Sequence, residues 1–201
     1  MKNPYYKLLK IAVFFYFTSY INIAVGLTAD ETVYETTQEI IDRLQKEKDR
    51  LKAEPEYIQE IVRELIVPHL DFSTMSALTM GKNWDILNGN IRECVSHGFK
   101  NLLVERYAYV LLSYRKQDIN YQSAIPIGEE DYVSIRQTLS RPEVKPSTIE
   151  YRMRPDGDLW KVVDLVIDDV SLIRNYRKMF NKDIKHQGLT DFIYSFDECK
   201  N

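Results

Sequence analysis

The chain has 201 residues, 44% of them hydrophobic and 28% charged, with seven Gly and seven Pro. That length and texture suit one globular domain and exclude a collagen-like, disordered or multi-span membrane chain. Net charge is −3, but Lys2, Lys7 and Lys10 sit in an acid-free head, and beyond residue 26 the balance is 24 basic to 30 acidic residues. Such a body, with no cationic stripe in its pattern, is not expected to bind nucleic acid or to lay a basic helix on a membrane.

Met1–Lys10 is a basic head, Ile11–Ala29 carries no charge, and small residues follow at Ala24, Gly26 and Ala29. This is the three-part pattern of an export signal. The expected organisation is a signal peptide over 1–26 and one domain over 27–201, with cleavage after Ala29 or retention as an anchor left open. The body is then placed outside the cytosol. An exported Cys94 and Cys199 could pair. Nothing in the sequence brings them together, so two separate thiols is the preferred reading and pairing stays open.

Asp30–Ala53 has a narrow apolar stripe of helical period (Val33, Ile40, Ile41, Leu44, Leu51). Tyr57–Ile66 gives the next helix, ended by Pro68. His69–Phe72 reads as a connector, with Asp71 or Ser73 capping a short helix to Leu78. A second short helix follows near Trp84, and Asn90 is placed to cap what comes next. Ile91–Arg115 is the longest helical pattern, and its broad face suits a sheet or a cavity.

After Asp118 the period changes to two. Ile119–Ile127, Tyr132–Ser140, Thr148–Arg154 and Leu159–Asp168 read as four antiparallel strands, rich in β-branched and aromatic residues. Turn clusters separate them, and Pro155–Asp158 is the clearest hairpin signal. Val170–Asn181 returns to helix, and Gly188–Phe196 closes the chain. The expected class is α+β: several helices packed on one face of a curved antiparallel sheet of about four strands, enclosing an apolar cavity.

Catalytic signatures are sparse. His69, His97 and His186 are isolated, and no P-loop, GxSxG or GxGxxG is present. Asp164, Asp168 and Asp169 gather near the last strand, so an enzyme using Asp164 or Asp168 as a base is the alternative function. The simpler reading is polar strand-end residues, with Asp169 at a helix start.

The run Trp160-Lys161-Val162-Val163-Asp164-Leu165-Val166-Ile167-Asp168-Asp169-Val170-Ser171-Leu172-Ile173-Arg174-Asn175-Tyr176-Arg177-Lys178-Met179-Phe180 resembles the signature of the periplasmic phospholipid-binding shuttles of the Mla (maintenance of lipid asymmetry) pathway, the toluene-tolerance auxiliary-component family. Val67–Phe72 and Leu78–Trp84 look like that family's helix-turn-helix opening. Phe99, Leu103, Tyr107 and Tyr114 match its long helix, and Gly188-Leu189 and Phe192-Ile193 its last helix. The chain departs at Asp85–Ser96 and at Asp169, where the family usually has Gly.

The resemblance implies a carrier rather than an enzyme, with no cofactor and no metal. Its ligand would be a glycerophospholipid held by its acyl tails. Its partners would be an inner-membrane lipid ABC transporter complex and an outer-membrane lipoprotein–porin complex. Alternation and helical spacing then nominate lining residues. Phe99, Leu103, Tyr107, Leu111, Tyr114 and Tyr176 come from helices. Val133, Ile135, Ile149, Tyr151 and Met153 come from the middle strands, and Val163, Leu165 and Ile167 from the last. That face of the last strand is chosen because Asp164 and Asp168 share the other with Trp160, Val162 and Val166. Arg177 is expected to pair with an acid.

Overall fold

A computed structural model describes residues 26–128 and 131–200. The expected export signal therefore lies outside the described residues, apart from Gly26.

The first helix, α1 (Ala29–Lys46), starts on a reciprocal cap. Glu31 accepts from the Thr28 amide and Thr28 Oγ1 accepts from the Glu31 amide, at 2.8 and 3.2 Å. A break at Glu47 separates α2 (Lys48–Ala53). Helix α3 (Ile58–Leu65) buries Ile58, Ile61, Val62 and Leu65 on one side. Pro68 falls within a 3-10 turn, Val67–His69. Asp71 then caps α4 (Phe72–Met80), which runs two residues beyond the expected end. After α5 (Lys82–Asp85) comes α6 (Gly89–Tyr107). Its cap is Asn88 rather than Asn90, because the Asn88 side chain accepts from the Ile91 amide at 3.0 Å. The helical pattern read to Arg115 ends earlier as α-helix and finishes as 3-10, Ala108–Ser113.

Six strands form one antiparallel sheet: β1 (Asp118–Tyr121), β2 (Ile125–Pro126), β3 (Val133–Arg141), β4 (Val144–Asp156), β5 (Leu159–Ile167) and β6 (Val170–Ser171). The order is β1-β3-β4-β5-β6, with β2 also pairing β3. The count exceeds four because Ile119–Ile127 splits in two and Val170-Ser171 pairs back on β5. The Pro155–Asp158 hairpin is present, with Gly157 at φ 62°. A bulge lies where Arg152 and Met153 of β4 face Asp164 and Val162 of β5. It leaves Val163 without a partner and shifts the alternation.

Helix α7 (Leu172–Gln187) runs six residues past the expected end, and α8 (Leu189–Tyr194) follows. Eight α-helices among the described residues thus flank one sheet. They meet it at α1 on β3 and at α4 and α7 on β5. The long helix α6 packs instead on α3, α4 and the C-terminal turn. None of the described helices is long and apolar enough to cross a membrane.

Cys94 and Cys199 form a disulfide, correcting the preference for two thiols. The pairing is tertiary in origin. Gly98 lets the Phe196 ring lie on α6, since a Cβ there would fall 2.5 Å from the ring. That contact brings the 3-10 turn Asp197–Cys199 beside the start of α6. The bridge spans 105 residues of sequence, enough for roughly 4–5 kcal/mol by loop-closure entropy. Reduction, or the double change Cys94→Ala/Cys199→Ala, should lower the urea midpoint by a corresponding amount. An unchanged midpoint would contradict a stabilising bridge.

Candidate functional site

Three apolar clusters form among the described residues, and the site is built from where they meet. The first lies among α4, α6, α7 and α8, where Phe99, Tyr176, Phe180, Phe192 and Phe196 interlock. Phe99 is edge-on to Tyr176 and Phe180, with centroids 5.2 and 5.5 Å apart. The second lies under α1 to α3 and takes Val104 from the long helix and Ala108 from the 3-10 turn that follows it. The third covers the sheet with Ala29, Val33, Ile135, Met153 and Val162. Leu70 and Leu165 pack against both the first and the third. They mark an apolar seam between helices and sheet.

The nominated residues divide around this seam. Phe99, Leu103 and Tyr176 belong to the first cluster, and Tyr107 packs against it. Leu111 packs against the second. Ile135 and Met153 are in the third, and Val133, Tyr151 and Leu165 pack against it. Tyr114 and Ile149 are half-buried outside all three. The bulge changes the last strand: Val162, from the face set aside, sits with Leu165 in the sheet cluster. Val163 is buried away from those clusters, and Ile167 is 38% exposed. Both therefore depart from the expected face.

Sequence reasoning overlooked several residues here. Leu70 reads in the sequence as part of a connector, yet its neighbour Asp71 donates its amide to the Val162 carbonyl at 2.9 Å, stitching the corner onto β5. Gln137 is buried on the inward face of β3. It accepts from the Tyr151 hydroxyl at 2.8 Å and donates to Thr37 Oγ1 at 3.1 Å. Burial pushes the Tyr151 phenol up, so it stays a neutral donor. Burial does the same to Tyr176, with the Tyr107 phenol adding to it. The Tyr176 hydroxyl has no hydrogen-bond partner among the described residues. Alternation from Ile135 signals Gln137; nothing local signals Leu70.

Among the described residues, two clefts that open to solvent bear on the site. One, about 640 Å³, is lined by charged groups that include Asp71, Arg92, Lys100, Arg154 and Lys161, and it reaches Leu70 at the seam. The other, about 320 Å³, lies between α6 and α7 and includes Tyr176 alone of the nominated residues. Neither cleft includes Leu165 or the nominated residues of the sheet.

The acids are fastened rather than poised. Asp164 is 6% exposed and accepts from Ser171 Oγ at 2.6 Å, the Ile173 amide at 3.1 Å and Arg152 at 3.4 Å. It caps α7 from the strand. Asp168 and Asp169, both at positive φ, form the β5–β6 turn. Asp168 accepts from the Thr148 amide and Ser147 Oγ, which hold its carboxyl below the usual range. Neither Asp164 nor Asp168 lines either cleft. No group of three or more potential metal ligands exists among the described residues. Arg177 donates to the Leu78 carbonyl at 2.6 Å rather than to an acid.

The MlaC protein family model matches residues 34–198. The chain belongs to that family. It is 24% identical over 172 residues to the intermembrane phospholipid transport system binding protein MlaC of Haemophilus influenzae, spanning 82% of this chain and 80% of that one. It is 22% identical over 163 residues to the toluene tolerance protein ttg2D of Pseudomonas putida, spanning 80% and 75%. A phospholipid-binding protein from Ralstonia solanacearum, solved with a phospholipid, shares the fold with TM-score 0.75 and 24% identity, over 86% of this chain and 97% of that one.

A clamp at the corner of this fold is open to test. Burial raises the Asp71 carboxyl, but the Thr74 hydroxyl and amide and the Arg154 guanidinium outweigh it and hold it below its ordinary 3.8. A depressed carboxylate contributes stability above its unfolded value and loses it as pH falls through the folded one. Asp71→Asn should therefore melt lower than wild type near neutral pH. The gap should narrow below about pH 4. A gap independent of pH would contradict the clamp.

Proposed function

We propose that this protein is a periplasmic phospholipid carrier. It takes a glycerophospholipid by its acyl tails into the seam between helices and sheet. It moves that lipid between an inner-membrane lipid ABC transporter complex and an outer-membrane lipoprotein–porin complex, maintaining outer-membrane lipid asymmetry. The observation that carries this reading is the match to the MlaC family over residues 34–198. The transport name of the Haemophilus relative and the phospholipid held by the Ralstonia protein support the same ligand class. The export pattern of residues 1–26 supports the compartment.

The energetics explain the design. Two acyl chains carry about 30 methylenes, and exposing them to water costs on the order of 20–25 kcal/mol at ~0.8 kcal/mol each. A carrier must cover nearly all of that surface. The membrane at either end is equally apolar, so transfer is close to balance without covalent chemistry. Loading parts the seam at Leu70 and Leu165. Leu103, Tyr107, Val133, Ile135, Tyr151 and Met153 then line the tails, and the head group stays wet at the charged cleft beside Leu70. Leu111 stays with the α3 cluster, and Tyr114, Ile149, Val163 and Ile167 lie outside this lining.

Lipid mass spectrometry on protein purified from a Gram-negative periplasm should find glycerophospholipid near one per chain. Leu165→Trp, which fills the seam, should at least halve that ratio while the melting transition stays cooperative. Lipid-free wild type that also takes none from vesicles would overturn the proposal.

A further inference from the structure

The helix extension past Asn181 creates a surface absent from the sequence reading. Arg174, Lys178, Lys182 and Lys185 fall at spacings of four, four and three on α7, within one arc of its outward face. All four are exposed. Among the described residues none of them makes an ion pair. Asn175 and Asn181 share that arc and are neutral. The one acid of the helix, Asp183, lies to the side, in the smaller cleft. The row spans eleven residue steps from Arg174 to Lys185, roughly 16 Å at 1.5 Å per step. Met179 and Leu78 are exposed along its two flanks, at 41% and 37%. The expectation that the body has no cationic face is thereby corrected.

We infer that this face of α7 docks on an anionic lipid bilayer surface. The shape favours a plane: the cations stand on a convex helix, and neither cleft includes any of them. Three of the four are Lys, compact point charges on flexible stems that suit a diffuse layer of phosphates rather than bidentate pairing with fixed carboxylates. Met179 and Leu78 supply apolar contact at the acyl boundary. The rest of the body is acidic in net charge, which favours an approach with α7 toward the membrane. None of these residues lines the seam, so docking is separable from carriage of lipid.

The test is vesicle flotation of the purified chain. Wild type should float with equimolar phosphatidylglycerol and phosphatidylcholine, stay behind with phosphatidylcholine alone, and be released at molar salt. The triple change Lys178→Glu/Lys182→Glu/Lys185→Glu should weaken binding at least about tenfold. The matched triple Lys46→Glu/Lys48→Glu/Lys145→Glu, elsewhere on the surface, should bind like wild type. Both variants alter exposed side chains, and unchanged melting confirms folding. Equal loss in the two triples, flotation with phosphatidylcholine alone, or failure of wild type to float would overturn the inference. Retention on immobilised polyglutamate without flotation would assign the stripe to an acidic protein instead and would equally overturn it.

Discussion

Strand β5 fastens the sheet to the helices, and it does so with polar groups. The buried Asp164 carboxylate accepts from the first turn of α7. The Val162 carbonyl accepts from Asp71 at the start of α4. Asp71 in turn holds Arg154 of β4 through Nε and Nη2. Each contact is short-ranged and directional, and removing one partner leaves a buried polar group unmatched. The two layers are thus tied at corners by hydrogen bonds, and the apolar surfaces between them are not the sole tie. This suits the proposed role, in which the apolar interface opens. A core held only by its own hydrophobic contacts would lose cohesion on parting. On the proposed loading the corner ties would persist, and acyl chains would replace side-chain contacts with contacts of the same kind.

The same arrangement explains why the chain is rich in aromatics without a catalytic constellation. Phe99, Tyr176 and Phe180 interlock among helices and stiffen that layer. The disulfide pins the C-terminal turn to the same layer. Tyr151, by contrast, lies at the seam with its hydroxyl spent on Gln137. A phenol satisfied from within offers its ring to an apolar ligand at no desolvation cost. Asp164 and Asp168 are equally committed, which removes the geometric basis for the alternative of a carboxylate base.

Much of this was legible in the residues where local chemistry decides the structure. The Pro155–Asp158 hairpin, the Asp71 cap and the three long strands follow from turn residues, capping chemistry and alternation. The misses share a cause. Alternation cannot see a bulge, so Val163 was placed where Val162 sits. An apolar residue in a corner has no period, so Leu70 was passed over. Ile184 is the lone apolar mark of the last turns of α7, so the helix was cut short and its basic row divided. Pairing of Cys94 with Cys199 depends on how α6 meets the chain end, which no local pattern contains.

The seam is the central claim, and a spin label can find it directly. The protein would be loaded with phosphatidylcholine carrying a nitroxide near one acyl terminus, and side-chain methyl signals followed by NMR. The account predicts paramagnetic broadening concentrated at Leu70, Ile135, Met153 and Leu165, with Ile58 and Ile61 of α3 spared. Broadening confined to α3, or spread evenly over the outer surface, would contradict it.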